Sequence, residues 1–595
     1  MENRDPELEK NFILFTILAM AVIFGWMYFF AKPQQPKKLP QKPGTEQAQP
    51  GDKGPEPVLQ GSAAEAAKPE TPAMKPAKAA APAPAESFPP KTVSVQSPLY
   101  EIQFSSRAAA PLSWKLKTYT DRVYFPYEVS LKWPPLEKIN QFQPEPVELI
   151  NPDPGKTIQL GSEIVINNIS VPADAAWKVE IDKINVDRGP KELVFTLPLP
   201  EHRVTLKKIY TFYPDNYRAD LKILCEGPAI DANTSKVDFG LSYVFEPLNR
   251  LARINFHGPL FYNNQAKIKR IGLGEMNKAA EAKLNNPDNS VQPLKGGTAD
   301  YAGFTDSYFL TALLAPADNP FMVQSFYSGD PASLKDKNAN KEYSMDVTFR
   351  PTPKSAAERI LAEAGLYFGP KEKDILQSVR PTLGLTIDYG WFAAIAIPLM
   401  YALKYTNIVV KNYGWSIVIL TIVLRMAMFP LTRKSQQSMK ELQKLQPEMQ
   451  KIRNKYPNDR MKQQEEIYAL QRKYKINPLG GCLPMIIQIP IFFAFYKVLM
   501  VSIELRHAPW MLWITDLSSR DPLLILPVLM GASQFFMGRL TPTAGADPTQ
   551  AKMMQLMPLF MTILLVYFPS GLLLYWTVSN MIGIGQQIYV NRLPK

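Results

Sequence analysis

The long apolar runs that follow residue 413 of this 595-residue chain contain no Asp and no Glu. Cysteine and histidine are nearly as scarce throughout, at two and three residues. Each scarcity excludes something. Cys225 and Cys482 lie far apart, with neither a CxxC spacing nor metal-site neighbours, which excludes a disulfide scaffold, a dithiol redox site and a structural zinc site. Both read as small apolar fillers. His202 and His257 have no nearby HxH, Cys or carboxylate partners. There is no GxxxxGK[ST], HExxH or GxSxG. The hydroxyl residues of the apolar runs have no Lys, His or Asp beside them to act as base. No enzymatic activity, cofactor or metal is expected.

Against that acid-free background stands Arg425, inside SIVILTIVLRMAMFPL. A guanidinium stays charged at any working pH. Holding one at hydrocarbon depth costs from ~3 to above ~10 kcal/mol, depending on snorkelling and bilayer thinning. It normally faces a partner or a water-filled cavity, and no acidic partner is on offer. The alternative is an interfacial anchor. Arg425 is about 12 Å along a helix from Arg433, and Pro430 could end the span early, so the side chain could snorkel outward.

Composition divides the chain into a membrane anchor (1–31), a Pro/Ala/Lys-rich disordered linker (32–96), a soluble β-rich domain with a C-terminal helix (97–380), an interfacial amphipathic helix (381–411) and a membrane core (412–595). The first apolar run, 12–30, can cross a bilayer, and FFAKPQQP offers no A-x-A cleavage site. Five further spans are expected near 414–432, 480–501, 522–538, 553–568 and 572–590. The apolar stretch 389–403 is only about 15 residues, broken by Pro398, and suits the outer membrane surface better than a span. The fold class is thus a polytopic α-helical membrane protein of six spans, with a five-helix core and an all-β soluble domain.

Orientation follows from charge. Residues 433–475 carry twelve Lys/Arg against five carboxylates, which marks this loop as cytoplasmic. Alternation then puts both termini inside and the β domain outside. Lys32, Lys37, Lys38 and Lys42, beyond the first span, argue weakly the other way, but a long domain translocates largely regardless of charge.

Within 97–350, residues such as Val204, Leu206, Leu221, Ile223, Val347 and Phe349 alternate with polar ones, and turn signals YPDN and NNPDN intervene. The pattern is that of an antiparallel sandwich. KSAAERILAEAGL (354–366) has the composition of a helix linking it to the membrane region.

The spans carry scattered neutral polarity: Thr421, Gln488, Ser533, Gln534, Thr562, Thr577, Ser579 and Asn580. Singly, each is more often interhelical glue worth ~0.6–2 kcal/mol. Together with Arg425, one turn after Thr421, they could line a single hydrophilic groove open to the cytoplasm. Several later spans are short enough to thin the bilayer beside it. In the basic loop (433–477), Met439, Leu442, Leu445 and Met449 repeat at helical spacing before YPND turns the chain. That predicts a helical hairpin with a Met-rich apolar face, suited either to varied apolar clients or to packing on itself.

Four long stretches, NYGWSIVILTIVLRMAMFPLT, NPLGGCLPMIIQIPIFFAFY, ELRHAPWMLWITDLSSRDPLLILPVLMG and FPSGLLLYWTVSN, resemble in order and spacing the YidC/Oxa/Alb family of membrane protein insertases. LYFGPKEKDIL and LGLTIDYGWF are similar to it as well, and the large β domain resembles the Gram-negative form, where it is a periplasmic super-β-sandwich. The resemblance implies insertion of client proteins into the inner membrane, alone or with the Sec translocon, without a nucleotide. It implies that Arg425 and Thr421 line a client groove and that Tyr575 and Trp576 contact clients in the last span. The family often has Tyr-Tyr at that pair; the indole keeps a stacking face and a donor. It also implies contact with inner-membrane lipid and, through the basic hairpin rather than the short tail NRLPK, with the ribosome, without specific nucleic-acid recognition. The rival readings are a small-anion transporter using Arg425, against which no internal repeat of spans is visible, and an assembly partner acting through its β domain.

Overall fold

The structure, a computed structural model, describes residues 89–121, 144–150, 159–227, 234–245, 258–263, 267–271, 297–317, 320–327, 341–349, 360–457, 459–474, 483–540, 557–558 and 560–592. The expected first span, residues 32–88 of the linker, and Cys482 lie outside these residues, while Thr92–Gln96, assigned by composition to the disordered linker, is a strand paired on both sides.

Among the described residues the soluble region holds sheets of five, eight and six strands. The eight-stranded sheet is antiparallel throughout, in the order Lys267–Arg270, Gly258–Asn263, Tyr301–Thr305, Phe309–Leu314, Ile360–Pro370, Arg218–Glu226, Val204–Phe212, Lys191–Leu199. Strand Val204–Phe212 alternates buried and half-buried residues along its length, as a sheet with one covered face requires. That covered face meets the five-stranded sheet: Phe104 packs on Phe195, Tyr210 and Phe212, and Trp114 lies edge-on to Phe368 at 4.7 Å. Cys225 is buried there. Lys208 points inward as well. Its ammonium donates to Ala108 O (2.6 Å) and Ser162 Oγ (2.8 Å) and lies over the Trp177 ring; burial pushes its pKa down to about 7.

Near the middle of this sheet the pattern changes. Tyr301–Thr305 and Phe309–Leu314 are buried at nearly every position, so both faces are covered. Leu376, Leu383, Val501 and Ile503 join the same core, which places the segment after the sheet and the C-terminal end of an apolar helix on the second face.

This arrangement overturns the helix expected at 354–366. Residues 360–366 belong to the strand Ile360–Pro370, paired on both sides; 354–359 lie outside the described residues. Alanine and leucine favour helix, but propensity is a weak prior that strand pairing overrides. The glycines were the better signal, since a Cβ on Gly369 would lie 2.6 Å from Tyr217 Cβ.

Helices follow: α1 (Lys373–Val379), α2 (Ala393–Val410), α3 (Tyr413–Lys444), α4 (Gln446–Lys455), α5 (Arg460–Lys473), α6 (Leu483–Val501), α7 (Ile525–Leu540), helical residues 557–558 and 560–565, and α8 (Ser570–Arg592). Two differ from expectation. The first is α2. Counting from Gly390, it is 21 residues long, continuous through Pro398, and long and apolar enough to cross a membrane. Nor is it amphipathic: it buries Ala396, Leu399, Met400 and Leu403 while exposing Tyr405, Ile408 and Val409. The second is α3, which does not stop at Pro430 but runs on to Lys444 over 32 residues, about 48 Å. That exceeds the ~30 Å hydrocarbon layer, so its last turns form the first arm of the hairpin. By length and composition, Gly390–Val410 and Tyr413–Lys444 are the two described helices that could span a bilayer; Ile487–Val501 and Ile525–Leu540 are shorter apolar helices. The expected count of six spans is therefore not established by the helices themselves.

Asn412 starts α3, its side chain accepting from Trp415 N and donating to Trp510 O at 3.0 Å. Gly414 is required there, because a Cβ would sit 2.2 Å from Trp510 Cδ1. At the other end of the bundle Lys440 Nζ reaches Val590 O at 2.7 Å, a cation at the C-terminus of α8. The β domain and the hairpin thus contact opposite ends of the helices.

Candidate functional site

Polar residues recur along α8 as pairs, Tyr575 and Trp576, then Ser579 and Asn580, one turn apart. That spacing places 575 with 579 and 576 with 580 on two adjacent faces. Each face builds its own cluster.

On the first face, Ser579 Oγ accepts from Arg425 Nε of α3 at 2.6 Å and from Gln488 Nε2 of α6 at 3.2 Å. Gln488 Nε2 also donates to Tyr575 Oη at 3.3 Å, and the Tyr575 ring stacks on Phe495 at 4.8 Å. Gln586 Nε2 donates to Arg425 O at 3.2 Å. Three helices thus converge on one polar cluster around Arg425. Arg425 is half-buried and forms no ion pair among the described residues. Its side-chain partner is a neutral hydroxyl, which leaves most of its five N–H donors for other acceptors.

On the second face, Trp576 Nε1 donates to Gln534 Oε1 of α7 at 3.1 Å. Asn580 Nδ2 donates to Gln534 Oε1 and to Ser533 Oγ, both at 3.0 Å. The indole lies edge-on to Phe492 of α6 at 4.9 Å. These polar groups satisfy one another, so this cluster reads as interhelical glue.

Of the residues singled out in the sequence, Arg425, Gln488, Tyr575 and Ser579 come together, as do Ser533, Gln534 and Trp576. Thr421 and Thr562 join neither network. Thr421 is fully buried with its hydroxyl donating to Ile417 O (2.6 Å), and Thr562 donates to Pro558 O (2.8 Å) where the helix meets Gly531. Gln586 was not anticipated, although its position seven residues, two helical turns, beyond Ser579 is the spacing that would have found it.

The hairpin's apolar face is not open. Leu442, Leu445 and Met449 are buried against Ile467 and Leu470, and Met439 is half-buried outside that cluster. Of the two readings of this face, self-packing is the one found.

At the end of the bundle that meets the β domain, Arg506 lies over the Tyr308 and Phe309 rings and donates to Asp121 O at 3.2 Å, joining the loop after α6 to the β domain. Asp516 organises the loop by accepting from His507 N, Ser518 N and the Ser518 and Ser519 hydroxyls.

Comparison with known proteins locates two family matches. Residues 137–402 match the YidC periplasmic domain, and residues 405–595 match the 60Kd inner membrane protein family. A membrane protein insertase YidC from Geobacter metallireducens is 33% identical over 592 residues, covering 98% of each chain. One from Syntrophus aciditrophicus is 32% identical over 601 residues, covering 98% of this chain and 100% of its own. A solved active YidC insertase is similar at 17% identity and TM-score 0.35, covering 85% of this chain and 93% of that one.

Proposed function

This chain belongs to the YidC family of membrane protein insertases, and from that premise we propose that it moves polar segments of its clients through a hydrophilic intramembrane groove centred on Arg425. It is an inner-membrane insertase with a periplasmic domain, and its clients are membrane proteins. The observation that carries the groove is the half-buried Arg425 guanidinium, bonded to the Ser579 hydroxyl and without a carboxylate among the described residues. Such a group sits at a cost the protein could avoid with an apolar residue, so its retention fits a site that receives acceptors in passing. A client's acidic side chains and free backbone carbonyls are such acceptors. Gln488, backed by the buried Tyr575 hydroxyl, would extend the polar surface, while Trp576 with Phe492 would present an aromatic edge to apolar client segments.

The membrane arrangement that goes with this reading has six spans, both termini cytoplasmic and the β domain periplasmic. It is supported by the basic hairpin and the β domain contacting opposite ends of the bundle. For α2, contacts along its length argue for the outer surface. Phe392, just before it, stacks on Phe493; Lys404 pairs with Asp374 of α1; and Asn412, just after it, bonds Trp510 O. All three partners lie in or next to the half of the molecule that meets the β domain. The Sec translocon and the ribosome are the further partners we assign, the latter through the hairpin's cations.

The test is insertion of a client with a short acidic translocated segment into vesicles carrying the full-length protein. Arg425→Ala should slow insertion by about tenfold, the loss of ~1–3 kcal/mol of charge-assisted bonding. Insertion at the unaltered rate would remove Arg425 from the mechanism.

A further inference from the structure

A small cleft, open on one side and with room inside for about one water-sized atom, lies where the β domain meets the C-terminal end of α6. Three cations from separate parts of the chain line it: Arg270, Lys371 and Lys497. Asp306 and Asp388 line it too, so the lining carries a net charge of +1, three cations less two carboxylates. Both carboxylates are already engaged. Asp306 Oδ1 accepts from Tyr308 N (2.7 Å) and Phe309 N (2.6 Å); Asp388 accepts from Gly390 N (2.9 Å) and lies 3.7 Å from Arg270 Nη1.

We propose that the mouth of this cleft binds the phosphate of an anionic phospholipid headgroup from the outer leaflet, with one phosphate oxygen entering the cleft and Arg270, Lys371 and Lys497 as its donors. Lys371 is 4% exposed, and its ammonium donates to Asp306 O at 2.8 Å, one bond for three donors. Burial, with Arg270 and Lys497 nearby, pushes its pKa down to about 8, and a phosphate oxygen in the cleft would offset that penalty. Depth points to a lipid. Lys497 lies one turn, about 6 Å, before the end of α6, and Val501 forms part of the wall, so the cations sit where a membrane helix leaves the bilayer. An anchored headgroup would then brace the β domain against the core.

The inference rests on the β domain facing the outer leaflet, and the test separates the two. Full-length protein in detergent is titrated with phosphatidylglycerol, and binding is read by native mass spectrometry. Arg270→Gln and Lys497→Gln should each weaken binding by about tenfold. Lys451→Gln on the hairpin should leave it unchanged. Lys371→Gln is the third variant, and Arg270→Gln keeps the test decisive if the buried site fails to fold. Equal affinity in wild type, Arg270→Gln and Lys497→Gln overturns the proposal. Displacement of the lipid by millimolar inorganic phosphate, at the same site, overturns the lipid source and assigns a free oxyanion. Sidedness is read independently by labelling a cysteine at exposed Glu180 from outside sealed spheroplasts; protection there overturns the topology while leaving the binding result standing.

Discussion

Arg425 on α3 and Ser579 on α8 are 154 residues apart in the chain and share a 2.6 Å hydrogen bond. The bond holds a permanent cation between membrane helices with a neutral partner. Such a pairing is suited to exchange. A client carboxylate would be a stronger acceptor than the hydroxyl, so the loss of about 1.5–3 kcal/mol on giving up the serine would be offset by the new charge-assisted bond.

The cost of holding that charge is testable. Arg425→Met keeps length and packing while removing the buried cation. We expect the folded core to gain about 1–3 kcal/mol of stability while client insertion falls, read by thermal unfolding of the full-length protein in detergent beside an insertion assay. A loss of stability would mean that Arg425 serves mainly as structural glue.

Close helix packing at Gly531 predicts a contrast within α7. A Cβ at 531 would lie 1.9 Å from Thr562 Oγ1, whereas nothing stands within 4 Å of the position at Gly538. Gly531→Ala should therefore lower stability by about 1–3 kcal/mol. Gly538→Ala should be neutral or raise it by up to about 1 kcal/mol. The same unfolding measurement reads both.

The buried Lys208 makes the β domain pH-sensitive. Its folded pKa, about 7, is below the ordinary lysine value of 10.5, so from pH 7 upward the unfolded chain binds more protons than the folded one. Stability should rise with pH between about 7 and 10.5, by on the order of a few kcal/mol. Below pH 7 both states are protonated and the slope should vanish. Lys208→Met should abolish the slope, as seen by tryptophan fluorescence during unfolding at several pH values.

Trp576 separates two roles. Trp576→Phe removes the donor to Gln534 but keeps an aromatic edge against Phe492; Asn580 still bonds Gln534. We expect a loss of about 1 kcal/mol in stability and near-normal insertion, with Trp576→Ala impaired in both. Equal insertion by the two variants would exclude an aromatic contact with clients.

Much of this organisation was legible in the sequence because its signals are local. Alternation along Val204–Phe212 and the acid-free runs around Arg425 and Gln488 need no tertiary knowledge. The pairing of Arg425 with Ser579 was half legible. Both residues stand out as polar in apolar runs, but which helix faces which is decided by packing. Three features were hidden. Ile360–Pro370 has helical composition, yet two neighbouring strands hold it extended. Pro430 looks like a helix terminator, yet α3 continues through it to the hairpin. Thr421 shares a helix face with Arg425 by spacing, yet its hydroxyl is turned onto Ile417 O in the core.

Hydration around Arg425 is the central claim, and cysteine accessibility tests it most directly. Single cysteines at positions 425, 488, 576 and 579, in a background lacking Cys225 and Cys482, would be challenged with a membrane-impermeant maleimide in inside-out vesicles. Cysteine at 421, fully buried in the structure, is the control. The groove predicts labelling from the cytoplasmic side at the half-buried positions 425, 488 and 576, with 421 and 579, both fully buried, protected. Protection of all of them would mean a dry bundle in which Arg425 only snorkels, and would contradict the groove.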